Sequence, residues 1–492
     1  MSGTAAMCRF APPVAVTIAA VALVATSGLT VGGCGDSGAQ NSTGGSANVV
    51  VVMTDDREAR SLRSMPYVSE RLAREGTTFT DAFATTPLCC PSRATFLTGE
   101  YSHNHGVLGN RPPEGGYPAL DSSATVAVWL QEAGYRTAHI GRYLNNYAAP
   151  QHGGDPSEVP PGWDDWRVPV EDTEFQMFGN TLNENGELKR YGNRPRDYQT
   201  DLVARKAVRF VHRTSREEQP FFLSVATLAP HDEGVLEDTG AARNPRPAPR
   251  HRGRFSDAPL PRPPSFNERA IDDKPGATRD KPRLRADEIE KLTTLYRSRL
   301  ESLLAVDDMV ADLVRALRRA GELEDTLFIF TSDNGYLLGE HRLHGKEAPY
   351  EEAIRVPLVI RGPGFPARAA RSQPVGNVDL ASTILDVTGV RPPRELDGTS
   401  LMRPARDPSA GSNRTLLLEL LTGARFLAVR TNRFVYAERR HGAIELYDLR
   451  RDPGQLHSVA DDRRYSRVTA RLAERLDSLR DCAGADCRPG AG

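Results

Sequence analysis

Several marks of the large protein classes are missing from this sequence. No charge of one sign prevails, because 63 Lys and Arg stand against 64 Asp and Glu, a formal net charge of −1 over 492 residues. Such a balance creates no global field for nucleic acid, so any preference for an anion must come from local clusters. No internal repeat is evident. The apolar run at residues 14–24 is too short to span a bilayer comfortably. Cysteine is scarce, with six residues in all, and Cys8 and Cys34 fall in the N-terminal segment. What is present is 39% hydrophobic residues, enough to bury a sizeable core and unlike a disordered chain.

The first 34 residues read as a signal peptide: Arg9, then the apolar run, then small residues ending in Val31-Gly32-Gly33-Cys34. That end resembles a bacterial lipobox, which would make Cys34 the lipidated first residue of the mature protein. Ordinary cleavage to a secreted product is the alternative. Both readings export the chain, either to the outer face of the cell membrane or beyond it. Residues 35–46 are a Ser/Gly-rich tether.

Asn48-Val49-Val50-Val51-Val52-Met53-Thr54 is an unbroken β-branched run, the pattern of a strand buried on both faces in a parallel sheet. It ends in Asp55-Asp56. Two carboxylates at a strand end repel each other unless a cation joins them, although they also suit a helix N-cap. Residues 326–331 repeat the pattern and end in Ser332-Asp333-Asn334-Gly335. In open α/β sheets the site lies beyond the carboxyl ends of the strands. Asp55, Asp56, Asp333 and Asn334 form an all-oxygen set that favours Ca²⁺ or Mg²⁺ over zinc.

The run Cys89-Cys90-Pro91-Ser92-Arg93-Ala94-Thr95-Phe96-Leu97-Thr98-Gly99 reads as a loop feeding a short helix, with Pro91 at the first helical position and Gly99 just past the end. Cys89 then sits before a helix N-terminus, where free N–H groups favour an anion. Arg93 lies one turn in. A nucleophile so placed suits attack on a phosphate or sulfate ester. The plain alternative is a helix start with two structural cysteines.

Further helices are predicted at 123–133, 198–213, 286–320 and 379–389, and strands at 135–140, 220–227 and 356–360. Residues 160–168, with Trp163 and Trp166, read as a packed surface loop. The Pro- and Arg-rich stretch 243–285 reads as a lid or a decorated loop. From about residue 401 the pattern changes to short strands at 426–430, 434–439 and 444–447, followed by a helix at 465–479. A large domain over 47–400 and a smaller C-terminal subdomain over 401–492 follow. His103 and His105 read as a satisfied loop or a pocket wall, and His344 has no support of its own.

The Cys89–Gly99 run resembles the activation signature of type I sulfatases. That resemblance implies the alkaline-phosphatase-like α/β fold: a large, mostly parallel central sheet flanked by helices, plus a smaller C-terminal antiparallel sheet subdomain with a helix. It implies that Cys89 is oxidised to Cα-formylglycine (3-oxoalanine) by a separate formylglycine-generating enzyme. It also implies that Asp55, Asp56, Asp333, Asn334 and the modified Cys89 bind Ca²⁺, with Mg²⁺ the lesser choice. Gly141-Arg142-Tyr143-Leu144-Asn145 resembles the family's Gly-Lys-Tyr-Leu-Asn, whose Lys contacts formylglycine and sulfate. Arg142 keeps the charge but cannot give up a proton. Leu144 and Phe266-Asn267-Glu268 resemble the N-acetylglucosamine-6-sulfatase branch. His231, after Ala229-Pro230, matches the family's Pro-His, and Lys346 matches its second sulfate-binding Lys.

On this resemblance the chain hydrolyses the sulfate ester of a sulfated sugar or an aryl sulfate. A hydroxyl of hydrated formylglycine attacks sulfur, Arg93, Arg142, Lys346 and Ca²⁺ neutralise the developing charge, and His231 serves the leaving alcohol. Phosphonate monoester hydrolases share the Cys-x-Pro-Ser-Arg logic and form the second reading. A non-catalytic sulfoglycan-binding surface protein is the third, with only Arg142 in its favour. The implied partners are the sulfated substrate and the maturation enzyme. No nucleic acid is expected, and the membrane enters only through a lipid on Cys34. In an exported chain, Cys482 and Cys487 suit a small disulfide.

Overall fold

The strand Asn48–Thr54 shows how this chain builds its core. Val49, Val51 and Met53 enter one hydrophobic cluster, and Val50 and Val52 enter another. Successive side chains leave a strand on opposite faces, so an apolar residue at every position means that both faces are covered. Each fully buried valine contributes about 1.5–3 kcal/mol relative to exposure. The structure is a computed structural model and describes residues 47–490 apart from 151–152, 171–172 and 235–242. The expected signal peptide, Cys34 and the tether lie outside those residues. Gly45–Gly492 is one compact unit.

Ten strands form the main sheet, in the order Ala369–Arg371, Thr77–Phe79, Leu358–Arg361, Thr326–Ser332, Asn48–Thr54, Phe221–Ala226, Arg136–Gly141, Asp165–Val170, Thr181–Glu184 and Glu187–Arg190. The five strands from Thr326–Ser332 to Asp165–Val170 run parallel. Antiparallel pairs extend the sheet at both sides. Helices cover both faces. Gln199–Thr214 and Ala286–Ala320 pack on the side of Val50 and Val52. Cys89–Thr98, Val126–Glu132 and Asp379–Thr388 pack on the side of Val49 and Val51.

The C-terminal strands Leu416–Leu420, Phe426–Arg430, Phe434–Arg439 and Ile444–Asp448 form an antiparallel meander. Helix Ser466–Leu479 covers one face through Leu472, Leu476 and Leu479. The opposite face carries Leu416, Leu418 and Phe426 against Phe83, Leu88 and Ile354. The small sheet therefore buttresses the chain just before Cys89. A disulfide joins Cys482 to Cys487. Among the described residues no helix is long and apolar enough to cross a membrane.

Two expectations need correction. Residues 165–170 form a strand of the main sheet, with Trp166 fully buried, rather than a surface loop. The charges within the strand are paired: Arg167 Nε meets Asp165 at 2.6 Å and its NH1 meets Glu184 at 2.9 Å. The motif helix starts at Cys89, so Pro91 is its third residue. Proline costs nothing there, because the first four N–H groups of a helix have no partner within it. Residues 243–285 are docked along the flank. Arg246 meets Glu233 at 2.6 Å, Arg250 meets Asp201 at 2.6 Å, and Phe266 bridges to Glu340.

Candidate active site

Parallel pairing delivers the polar residues to one edge. Asn48–Thr54 and Thr326–Ser332 run in register from Asn48↔Thr326 to Thr54↔Ser332, so Asp55 and Asp333 leave the sheet side by side. The Asp333 N–H donates to the Thr54 carbonyl at 3.1 Å. Arg136–Gly141 ends at Arg142, and Phe221–Ala226 leads through Thr227 to His231. The motif helix begins at the same edge. Ser92 Oγ donates to the Asp333 carbonyl and accepts from Asn377 Nδ2 at 2.9 Å, which fixes this helix to the loop that follows strand Thr326–Ser332.

At the centre, Cys89 Sγ lies 2.7 Å from Lys346 Nζ and 3.5 Å from Asp55 Oδ1. Lys346 also pairs with Asp56 Oδ1. Arg93 spans two carboxylates, with Nε 2.9 Å from Asp333 Oδ2 and NH2 3.1 Å from Asp55 Oδ2. Its NH1 donates to the Arg142 carbonyl at 2.9 Å. Arg142 is wholly buried. Its NH1 meets Asp55 Oδ2, its NH2 donates to Asn145 Oδ1 at 2.7 Å, and its guanidinium carbon lies 4.4 Å from the Phe175 ring centre. His231 Nε2 faces Asp56 Oδ2 at 3.4 Å, and its Nδ1 donates to the Asp232 carbonyl at 2.8 Å.

The charges nearly cancel: Asp55, Asp56 and Asp333 against Arg93, Arg142 and Lys346. Burial raises the Asp55 carboxyl, but Arg142, His231, Arg93 and Lys346 together bring it well below the usual range. Burial and the neighbouring Asp55 push Asp333 up to about 6. The Cys89 thiol is held well above its ordinary value by burial and then by Asp55. Asn334 Nδ2 donates to Asp56 Oδ1 at 2.7 Å, whereas its Oδ1 is buried without a partner among the described residues. An orphaned amide oxygen beside three converging carboxylates fits a hard divalent cation. Asp55, Asp56, Cys89 and His231 each offer a ligand atom within one small cluster.

The geometry thus gathers Asp55, Asp56, Cys89, Arg93, Arg142, His231, Asp333, Asn334 and Lys346 at one place. His103 and His105 lie outside it. His103 Nδ1 meets Glu419 at 2.9 Å and its Nε2 meets the Cys482 carbonyl at 2.9 Å. His105 is bound to Thr95 Oγ1 at 3.1 Å. Glu268 of the Phe266-Asn267-Glu268 segment pairs with His341 at 2.7 Å and so braces the loop that leads to Lys346. Sequence reasoning missed Arg299, which is fully buried on the long helix. It donates to the Asp56 carbonyl, to the Pro230 carbonyl at 3.1 Å and to Glu58 at 2.8 Å, and it lies 4.2 Å from the Tyr336 ring centre. An arginine among Leu295, Leu300 and Leu303 on the apolar side of a helix was the available signal. Asp56 itself has φ 62°, a strained value for a non-glycine residue, and Asp333 Oδ1 accepts its N–H at 2.9 Å.

Residues 47–390 match the family described as Sulfatase, and residues 339–482 match the domain described as N-sulphoglucosamine sulphohydrolase, C-terminal. The chain is 39% identical over 363 residues to the putative extracellular sulfatase Sulf-1 homolog of Caenorhabditis elegans, covering 72% of this chain and 48% of that one. It therefore spans about half the length of that relative. It is 30% identical over 505 residues to the N-acetylglucosamine-6-sulfatase of Capra hircus, covering 93% and 87% of the two chains. Among solved structures it is similar to a protein in complex with its substrate D-glucosamine-2-N,6-O-disulfate, with TM-score 0.73, 25% identity, and 88% and 97% coverage. The phosphonate monoester hydrolase of Agrobacterium radiobacter shares the fold, with TM-score 0.63, 24% identity, and 88% and 95% coverage.

Proposed function

The chain belongs to the sulfatase family of sulfuric ester hydrolases, and on that premise we propose that it cleaves the sulfate ester of a sulfated sugar at the Cys89 cluster. The observation that carries this reading is the set of three cations around one potential nucleophile: Lys346 on the Cys89 sulfur, with Arg93 and Arg142 on the adjoining Asp55. Negative charge developing on the sulfate oxygens would meet fixed positive charge in a buried site, where preorganised donors contribute most. Asp55, Asp56, Asp333 and Asn334 would hold Ca²⁺, which would polarise the ester oxygens and leave the site with an excess of positive charge. Conversion of Cys89 to formylglycine by the maturation enzyme would supply a hydrated aldehyde as the nucleophile. His231 serves the departing alcohol: its Nδ1 is committed to the Asp232 carbonyl, which leaves Nε2 to carry the proton. Lys346 and Arg142 hold the ester oxygens, and Arg93 holds Asp55 and Asp333 in place.

A sugar substrate is favoured by the relative named N-acetylglucosamine-6-sulfatase and by the solved neighbour bound to a sulfated glucosamine. The relative named as an extracellular sulfatase supports export, with a lipid on Cys34 as the proposed anchor. The test compares kcat/KM on 4-nitrophenyl sulfate, N-acetylglucosamine 6-sulfate and the phosphonate monoester 4-nitrophenyl phenylphosphonate, using protein shown to carry the aldehyde. Sulfate release with a preference over the phosphonate is expected, and the variant Cys89→Ala should lose it. A preference for the phosphonate would move the reading to that ester class.

A further inference from the structure

One carboxylate beside the reacting groups is left over when their roles are assigned. Asp232 follows His231, and its backbone carbonyl already orients that imidazole. Its side chain takes no part in the cation cluster. Asp232 Oδ2 lies 3.5 Å from Tyr336 Oη, and Tyr336 Oη lies 3.0 Å from His344 Nε2. With His344 Nε2–H donating to Tyr336 and the tyrosine O–H donating to Oδ2, one side of the carboxylate is satisfied. Asp232 Oδ1 is buried and has no hydrogen-bond partner among the described residues. A buried acceptor without a partner is costly to a fold and needs a reason.

The three side chains form a row from the reaction centre outward. Asp232 adjoins His231, Tyr336 is nearly buried, and His344 is exposed at the rim. The row is held rigidly. Arg299 lies 4.2 Å from the Tyr336 ring centre while its donors grip the carbonyls of Asp56 and Pro230. The position of Asp232 and Tyr336 is therefore tied to that of Asp56. With His231 serving the leaving alcohol, as proposed above, the sugar that bears the sulfate would lie beside this row.

The geometry points to a subsite, formed by Asp232, Tyr336 and His344, that binds a hydroxyl group of the sugar carrying the scissile sulfate. It rests on the sulfatase reading above. The hydroxyl donates to Asp232 Oδ1 and supplies the missing partner. A carboxylate only accepts, so the subsite rewards a free hydroxyl and rejects a second sulfate or a carboxylate at that ring position. An aryl sulfate has no hydroxyl to offer and gains nothing from it. Asp232 is thus a specificity residue that separates sugar sulfates from aryl sulfates and less sulfated rings from more sulfated ones.

The experiment measures kcat/KM for N-acetylglucosamine 6-sulfate and 4-nitrophenyl sulfate at equal aldehyde content, in the wild type, Asp232→Ala and Asp232→Asn. The sugar-to-aryl ratio should fall about ten- to a hundred-fold in Asp232→Ala, the effect of losing one charge-assisted hydrogen bond, and by a smaller factor in Asp232→Asn. A ratio within about twofold of the wild type in both variants, or a rise, overturns the subsite. A second arm needs no variant: in the wild type, either the 3-deoxy or the 4-deoxy analogue of the sugar sulfate should lose about tenfold or more. If neither loses it, the subsite is wrong. An aldehyde-bearing wild type that releases sulfate from neither ester overturns the sulfatase reading itself, a result distinct from an unchanged ratio.

Discussion

Replacement of Arg142 tests the charge model of the site. The wild-type side chain makes two bonds from two different nitrogens, NH1 to Asp55 Oδ2 and NH2 to Asn145 Oδ1 at 2.7 Å, and it lies 4.4 Å from the Phe175 ring centre. Arg142→Lys keeps the charge but has one nitrogen, so it loses one charge-assisted hydrogen bond and the planar stack. Those losses amount to about 1–2 kcal/mol, or about five- to thirtyfold in kcat/KM. Arg142→Ala also removes the charge and leaves Asp55 with Arg93 and the more distant Lys346. Loss of one stabiliser of transition-state charge costs about 10²–10³ in kcat. The assay is initial rates on 4-nitrophenyl sulfate, with all proteins matched for aldehyde content. An Arg142→Ala enzyme within about threefold of the wild type would place this residue outside the reacting charge and refute the reasoning. A wild type without turnover on any sulfate ester, with activity appearing in Arg142→Lys, would mark the natural chain as a binder.

Arg299→Met should destabilise the protein by about 3–5 kcal/mol in urea unfolding, because it strands the buried Glu58 carboxylate, and adding Glu58→Gln should recover part of that loss. Burial alone lowers the His103 pKa, but Glu419 and the Cys482 carbonyl raise it to about 9. A raised folded-state pKa means that the stabilisation is complete below about pH 6.5, the unfolded value, and is lost as pH rises through about 9. The urea midpoint should fall across that window in the wild type, and His103→Gln should flatten this part of the profile. Excess chelator should abolish sulfate release and Ca²⁺ should restore it. Asp333→Ala should lose the melting-temperature increase that added Ca²⁺ gives the wild type; an equal increase in that variant would remove Asp333 from the metal set.

Much of the site was legible because its parts sit at strand ends. Asp55-Asp56 and Asp333-Asn334 each close a run of buried β-branched or aromatic residues, and such runs pair in parallel with their ends aligned. The Cys89 motif and Arg142 were legible through family resemblance, which residue spacing alone would not have supplied. Strand Asp165–Val170 was hidden because Asp165 and Arg167 are paired charges inside a sheet, and a sequence shows the charges without the pairing. Strand Leu416–Leu420 lacks the apolar–polar alternation of a half-buried strand, because Leu417 packs in one core while Leu416, Leu418 and Leu420 pack with Phe83 and Leu88 in another. Arg299 was hidden for a different reason. It lies more than 200 positions from Asp56 along the chain, and the carbonyls it holds carry no side-chain signature. Asp232 could not be read at all without the orphaned oxygen that the fold creates.

The central claim is that Cys89 is a precursor of the reacting group. The most direct test is the mass of the peptide spanning Cys89, from protein made in a host able to install formylglycine. Conversion of the thiol to an aldehyde lowers that mass by about 18 Da, and the loss should map to Cys89 with Cys90 retained as a thiol. An active preparation with the unmodified mass, or with the aldehyde at Cys90, would contradict the claim.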